Sequence, residues 1–199
     1  MKSSILNLSW KIGLIALLFY HCDGNKQKTL KAPQSDSLMI TYGILQDSVQ
    51  RNWEIMIADD DEKLALLNRL LQEVSHTNNY DKLKFNELKS NIDQLKAMRY
   101  DQQTMGESAL IDKYDSATIV VSDQVIGFAR SHPRYDDFPL MEELVQEINA
   151  KNNYILLHRN HYDFWAKELN SYTDENGESI KRIEPDFREE SLPLFQLPS

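Results

Sequence analysis

Glycine and proline are scarce in this chain of 199 residues, which contains only six of each, roughly half of their average share. No proline occurs between Pro33 and Pro133, and the only glycines in that stretch are Gly43, Gly106 and Gly127. Because β-structure needs such residues at frequent turns, this composition argues against a β-protein. It predicts an all-α fold built from long helices.

Cysteine is scarcer still, since Cys22 is the only one. A single cysteine excludes a disulfide within the chain and a metal site built from cysteines. Basic residues are also few: without Lys2 and Lys11, the remaining 20 basic residues face 31 acidic ones, a net charge of −11. Such a surface repels phosphate backbones and anionic lipid headgroups. We therefore expect no nucleic-acid partner, and we expect any membrane attachment to depend on an anchor.

The first 22 residues have the organisation of a secretory signal. Residues 12–20 form an unbroken apolar run, about half as long as a helix that spans a bilayer. Cys22 closes this region, as the lipid-modified cysteine does in a lipoprotein signal, although His21 stands where a small residue is usual. We predict that Cys22 is a lipid-attachment site. The alternative is an uncleaved signal anchor in which residues 5–21 remain as a membrane helix.

Beyond the signal, residues 23–36 are polar and predict a flexible tether. Apolar residues then recur at every third or fourth position over four segments, the pattern of helices that pack against neighbours. Burying these stripes together predicts an elongated antiparallel four-helix bundle over residues 37–170. Residues 171–199 predict an irregular tail, pinned to the body by Leu192, Leu194 and Phe195. The predicted helices cover about residues 37–75, 81–99, 107–130 and 136–170.

The fourth predicted helix resembles the LemA family in its pattern of E-L, E-N-x-I-x-x-x-R and two Y-N pairs. His132 and Pro133 stand where that family has Tyr-Pro before the helix, and residues 49–74 are similar to its first helix without gaps. Residues 66–71 lack the proline that the family has there. The matching positions of the fourth helix are Glu147, Ile148, Asn153, Ile155, Arg159, Tyr162, Asp163, Leu169 and Asn170, with Asp163 and Leu169 in place of the family's Asn and Tyr.

The resemblance implies a membrane-anchored four-helix domain outside the cytoplasm of a bacterium, and it implies no reaction and no catalytic residue. We therefore expect a structural or interaction module of the cell envelope, whose partners are the membrane and other envelope proteins. The sequence contains neither Gly-x-Ser-x-Gly nor a phosphate-binding glycine loop, the motifs of common hydrolases and nucleotide-binding proteins. We expect no enzyme activity, no cofactor and no small-molecule substrate.

Two polar residues, Arg159 and Asn152, fall on the apolar stripe of the fourth predicted helix. A buried arginine needs a carboxylate partner, and the acidic run at residues 59–62 of the first predicted helix is the expected source. Arg159, Asn152, Asp59 and Asp60 therefore form the predicted polar core. The acidic run itself predicts a solvated face or a helix break. The alternative function is a ligand sensor with a polar pocket around Arg159.

A metal-binding bundle is the third hypothesis, because His158 and His161 lie three residues apart, as two ligands on one helix do. A di-iron bundle needs Glu-x-x-His on two helices and two further inward-facing glutamates. His161 falls off the apolar stripe and His158 only borders it. We therefore predict solvated histidines, and no metal ligand is assigned.

Overall fold

The computed structural model describes residues 32–195, with side chains from residue 35 onward. The predicted signal over residues 1–22, its candidate lipid site Cys22 and most of the predicted tether lie outside the described residues. Within residues 32–195 the chain forms helices and no strand, which confirms the all-α prediction. The elements are α1 (Ala32–His76), α2 (Lys82–Met98), α3 (Ser108–Arg130), a short 3-10 helix (Tyr135–Asp137) and α4 (Pro139–Ile183).

Local chemistry explains where these helices begin. Asp81 caps α2, since its carboxylate accepts the backbone N–H groups of Leu83 and Lys84 at 2.9 and 3.0 Å and so satisfies two donors that lack an intrahelical partner. Asn78, in the turn before α2, has a φ of 60°, a left-handed conformation that asparagine tolerates. Pro139 lies in the first turn of α4, where its missing N–H removes no helical hydrogen bond.

Both long helices extend beyond their predicted bounds. α1 begins at Ala32, so the last residues of the predicted tether are helical, and α4 continues to Ile183. The prediction that irregular chain starts at residue 171 was therefore wrong. The buried seam of α4 continues at spacings of four and three residues through Thr173, Gly177 and Ile180.

The two long helices pack antiparallel, and two contacts fix their register. The Tyr172 hydroxyl donates to the Leu38 carbonyl at 3.0 Å, and the Lys151 ammonium lies 2.6 Å from the Asp59 carboxylate. With 45 residues each, α1 and α4 are about 68 Å long. The 17 residues of α2 and the 23 of α3 reach only about 26 and 35 Å. They therefore cover part of the long pair.

The described chain consequently has two halves. The four-helix half contains α2, α3, residues 57–76 of α1 and residues 139–159 of α4, whereas the two-helix half contains only residues 32–52 of α1 and residues 163–183 of α4. The prediction of a helical bundle is confirmed, and the two shorter helices lie close to their predicted bounds of residues 81–99 and 107–130. The helices exist, but two of them are too short to reach the far half.

Residues 184–195, here called the strap, follow α4 without helix or strand. They fold back against the two-helix half, where Phe187 packs edge-on against the Tyr42 ring at 5.7 Å between centroids. Phe195 is buried, and Leu192 and Leu194 pack against the core, which confirms that these three residues pin the segment. Over residues 32–195, no helix combines the length and the apolar character needed to cross a bilayer.

Candidate functional site

The candidate site is a layer of buried polar side chains in the four-helix half, beside its junction with the two-helix half. Its first centre is Asp60 of α1, whose carboxylate accepts a hydrogen bond from the Tyr114 hydroxyl of α3. The Arg99 guanidinium lies 3.3 Å from the same carboxylate, and the Lys63 ammonium lies at 3.5 Å. Asp60 and Lys63 are both buried. One carboxylate thus links α1, α3 and the end of α2.

The acidic run at residues 59–62 does not break α1, which is helical from residue 32 to residue 76. Successive residues of a helix point in different directions, so each acidic side chain meets a different neighbour. Asp61 pairs with Arg99 at 2.6 Å, while Asp59 and Glu62 both contact Lys151 of α4, at 2.6 and 2.5 Å. The acidic run therefore does not break the helix, and its side chains form ion pairs on different sides of α1.

Arg159 of α4 is the second centre, and only 8% of it is exposed. Its guanidinium donates two hydrogen bonds to the Asp115 carboxylate of α3, at 2.8 and 2.7 Å, and a third to the Tyr100 hydroxyl at 3.0 Å. The Phe195 ring of the strap covers it at 5.1 Å. The prediction that Arg159 points inward and pairs with a carboxylate is confirmed.

The predicted partner of Arg159 was wrong, because its carboxylate comes from Asp115 and not from Asp59 or Asp60. The antiparallel register explains the difference. Lys151 lies level with Asp59, and Arg159 is eight residues farther along α4, about 12 Å away. Helical periodicity gave the inward face correctly, but it carries no information about axial register between helices.

Asn152 does not belong to the buried layer, since it is exposed, and its assignment to the polar core was wrong. The neighbouring turns of α4 are buried at Ile148 and Arg159. Among the contacts that α1, α3 and α4 make with one another, the one between α3 and α4 is the least extensive. The side of α4 that carries Asn152 therefore remains open to solvent.

Tyr100 is the residue that sequence inspection missed. It lies in the connection between α2 and α3, which looked polar, yet it is buried. Its ring packs edge-on against Tyr114 and Phe195, each at 5.8 Å, and so joins the Asp60 and Arg159 centres. No helical periodicity applies to a connecting segment, so only its aromatic character hinted at burial.

The surroundings fix the charge states within the layer. Burial raises the pKa of Tyr100, and the nearby Arg159 only partly opposes this. Burial and the adjacent Asp60 carboxylate raise the pKa of Tyr114 well above its ordinary value. Burial lowers the pKa of Arg159, but the hydrogen bonds that its guanidinium donates to Asp115 and the field of its neighbours outweigh this and raise the pKa. The two phenols therefore stay neutral while the guanidinium stays charged.

His132 joins two connecting segments at one end of the four-helix half. It is buried, its Nδ1 accepts the Arg134 backbone N–H at 3.1 Å, and its Nε2 lies 2.8 Å from the Asn79 carbonyl and 2.9 Å from the Thr77 hydroxyl. Because Nδ1 is an acceptor, the ring proton resides on Nε2. This histidine ties the α1–α2 turn to the end of α3.

The other histidines do not converge. His158 lies 3.6 Å from Asp59, whereas His161 is exposed. The one Glu-x-x-His of the sequence, Glu73 to His76, lies at the far end of α1, with 3.6 Å between the Glu73 carboxylate and the His76 Nδ1. Among residues 32–195, no group of three or more His, Cys, Asp or Glu side chains is arranged to hold a metal ion.

Comparison with known proteins gave no relatives. No family model, no curated protein and no solved structure matches this chain. The relationship to the LemA family therefore stays a prediction that depends on the residue pattern alone. The layer contains charged pairs and hydrogen bonds that link α1, α3 and α4, each at one position along the helix axes. Such contacts fix the axial register of the helices.

Proposed function

We propose that this chain is a structural or interaction module of the bacterial cell envelope, similar to LemA proteins and held at a membrane through residues 1–22. The positions that carry the resemblance in α4 include Ile148, Arg159 and Tyr162, and all three are buried. A shared pattern of core positions is what a shared packing arrangement requires. This supports a relationship at the level of the fold.

An apolar row on the outer side of α4 carries the interaction part of the proposal. Tyr154, Leu157 and Phe164 are each about half exposed, and their spacings of three and seven place them on one side of the helix. Phe164 packs edge-on against Trp165 at 5.1 Å, which widens the apolar surface. Clustered exposed apolar side chains mark surfaces that other molecules cover. We infer that this row contacts an envelope protein.

The test of the row uses the full chain with Leu157→Glu and Phe164→Glu together. Since both side chains are exposed, the melting temperature should stay within about 2 °C of the parent. The complexes that the parent forms in crosslinked membranes should disappear. Leu83→Glu is the control, because Leu83 is a strongly exposed apolar residue on α2. Complexes of unchanged size and amount in the double variant would reject this surface.

Membrane attachment is tested at Cys22. Replacing Cys22 with Ala should move the protein from the membrane fraction to the soluble fraction. The reason is that the proposed lipid chains on Cys22 supply the attachment, and the variant cannot carry them. The measurement is fractionation followed by mass determination of the mature chain. Retention in the membrane with residues 1–21 still attached would instead establish the signal anchor.

The ligand-sensing alternative places a polar pocket around Arg159. The guanidinium is already covered by Asp115, Tyr100 and Phe195, so a ligand would have to displace the strap. That requirement makes the strap the element to examine.

A further inference from the structure

The strap lies in a groove whose polar groups bind its backbone. Asn170 of α4 contacts Leu192 twice: its side-chain oxygen accepts the Leu192 N–H at 2.8 Å, and its side-chain nitrogen donates to the Leu192 carbonyl at 3.0 Å. One amide thus reproduces the paired hydrogen bonds that an extended chain makes with a neighbouring strand. This recognition reads the backbone and is independent of the side chain at that position.

A second polar group binds the strap two turns earlier on α4. The carboxylate of Asp163 accepts the Phe195 N–H at 2.9 Å, and Asp163 is itself buried. Asp163 and Asn170 are seven residues apart, two turns of one helix, whereas Leu192 and Phe195 are three residues apart in the strap. An extended segment of three residues spans about the same 10 Å. The two side chains are therefore spaced to hold extended chain.

The groove also has a pocket for an aromatic ring. Phe195 is surrounded by Tyr100, Tyr162 and Arg159, with ring centroids at 5.8 Å from both tyrosines and the guanidinium at 5.1 Å. Aromatic rings and a guanidinium in this arrangement attract a further ring through edge contacts and cation–π attraction. The pocket is built from two separate parts of the fold, α4 and the connection between α2 and α3, and its three side chains favour an aromatic ring.

The backbone of the body is shaped to let the strap approach closely. A Cβ placed on Gly106 would lie 3.1 Å from the Pro193 side chain, and one placed on Gly177 would lie 2.9 Å from the Glu189 carboxylate. Both glycines leave the space that the strap fills. Proline at the contact with Gly106 keeps the chain extended, because its ring fixes φ and disfavours helix in the residue before it.

We propose that this groove is a peptide-recognition site, and that the strap is its resident ligand, which an extended segment of another protein chain with a Pro-x-Phe pattern can replace. The groove supplies two backbone-binding groups, a glycine that accommodates proline and an aromatic pocket, which together define that pattern. The proposal goes beyond the envelope module and does not depend on how the chain is anchored.

The strap is suited to exchange because few contacts hold it outside these anchors. Residues 188–191 are exposed, and the segment has no helix or strand of its own. Segments with few buried contacts open at lower free energy than the core elements they lie on. When the strap leaves, Arg159 loses only its aromatic cover and keeps both hydrogen bonds to Asp115. The body therefore retains its polar layer while the groove is empty.

The test uses the full chain, the Phe195→Ala variant and a labelled peptide of residues 184–199. In the parent, the resident strap competes at a high effective concentration, so the peptide should bind about tenfold or more weakly than to Phe195→Ala, as measured by fluorescence polarisation. A peptide that itself carries Phe195→Ala should not bind either chain. Leu83→Ala is the control chain, since Leu83 is exposed on α2 and lies outside both the groove and the apolar row of α4, so it should leave parental behaviour unchanged.

Absence of peptide binding to a helical Phe195→Ala chain would overturn the proposal. If that variant loses its helical structure, hydrogen exchange on the parent decides the question. The Leu192 and Phe195 amides should then exchange about tenfold or more faster than those of Leu67 and Ile148, which lie in the core. Equal exchange rates would show that the strap opens only when the whole body unfolds, and would overturn the proposal as well.

Discussion

The four-helix half and the two-helix half use the same two long helices but bury them differently. Within the four-helix half, α1 buries a broad face that includes adjacent residue pairs such as Leu66 with Leu67 and Leu70 with Leu71. Among residues 35–52 of the same helix, only Val49 is buried. A helix with neighbours on several sides needs a wide apolar face, whereas a helix with one main partner needs only a narrow seam.

The difference extends to the chemistry of the seams. In the two-helix half, α4 buries small or polar residues such as Ala166, Thr173 and Gly177, which let the strap and α1 approach. The buried carboxyl of this half, Asp163, accepts a hydrogen bond from the strap. In the four-helix half, the buried charged groups of Asp60 and Arg159 bond to neighbouring helices instead. Stability should therefore be concentrated in the four-helix half, while the two-helix half is organised around an exchangeable segment.

The largest expected effect comes from Asp60→Ala in the four-helix half. The substitution leaves Arg99, Lys63 and the Tyr114 hydroxyl without their shared carboxylate, and breaking such a buried arrangement costs about 3–5 kcal/mol. Chemical denaturation followed by circular dichroism should show this loss. Asp61→Ala is the matched control, because Asp61 is a neighbouring but partly exposed member of the run. If the two substitutions lowered the free energy of unfolding equally, the buried polar layer would contribute little to stability.

Arg159→Ala, at the junction of the halves, should destabilise the chain by about 2 kcal/mol, less than Asp60→Ala. The reason is that Asp115, its carboxylate partner, is 36% exposed and can be hydrated once the guanidinium is gone. Arg159→Lys should restore only part of the loss, since lysine cannot form the two-pronged contact. Thermal melts of both variants measure this. Melting temperatures within a degree or two of the parent for both would show that the pair contributes nothing to stability.

Asp163→Asn, in the two-helix half, should have the smallest effect and the opposite sign. Burial raises the pKa of Asp163, and the Phe195 N–H and the charge of Lys167 oppose this only partly. A carboxyl whose pKa is higher in the folded state than in the unfolded state lowers the stability of the protein as the pH rises through its folded-state pKa. Asparagine keeps the acceptor without the charge, so the variant should gain less than about 1 kcal/mol at pH 7.

The pH dependence distinguishes this cause from a change in packing. The advantage of Asp163→Asn over the parent should shrink as the pH falls through the raised pKa of the parent carboxyl, because that carboxyl is then protonated and uncharged. Melting curves at several pH values give the comparison. Asp163→Ala serves as the control, because it removes both the charge and the acceptor for the Phe195 N–H. An advantage of Asp163→Asn that is the same at every pH would contradict the electrostatic explanation.

The sequence alone determined the class of fold and the inward faces of most helices. Scarce glycine and proline indicated helices, and spacings of three and four placed residues such as Leu67, Ile148 and Tyr162 in the core. It also indicated that Arg159 is buried and paired. These properties are local, because the facing of a residue within one helix depends on periodicity and on neither the length nor the position of any other helix.

Only the tertiary structure decided which groups meet. The alignment of helices of unequal length along their axes decided four features. These are the pairing of Arg159 with Asp115, the exposure of Asn152, the burial of Tyr100 and the position of Phe195. Periodicity contains no axial coordinate, and connecting segments such as the one that holds Tyr100 have no periodicity at all. The division into a four-helix and a two-helix half follows from the same cause, since α2 and α3 end long before α1 and α4 do.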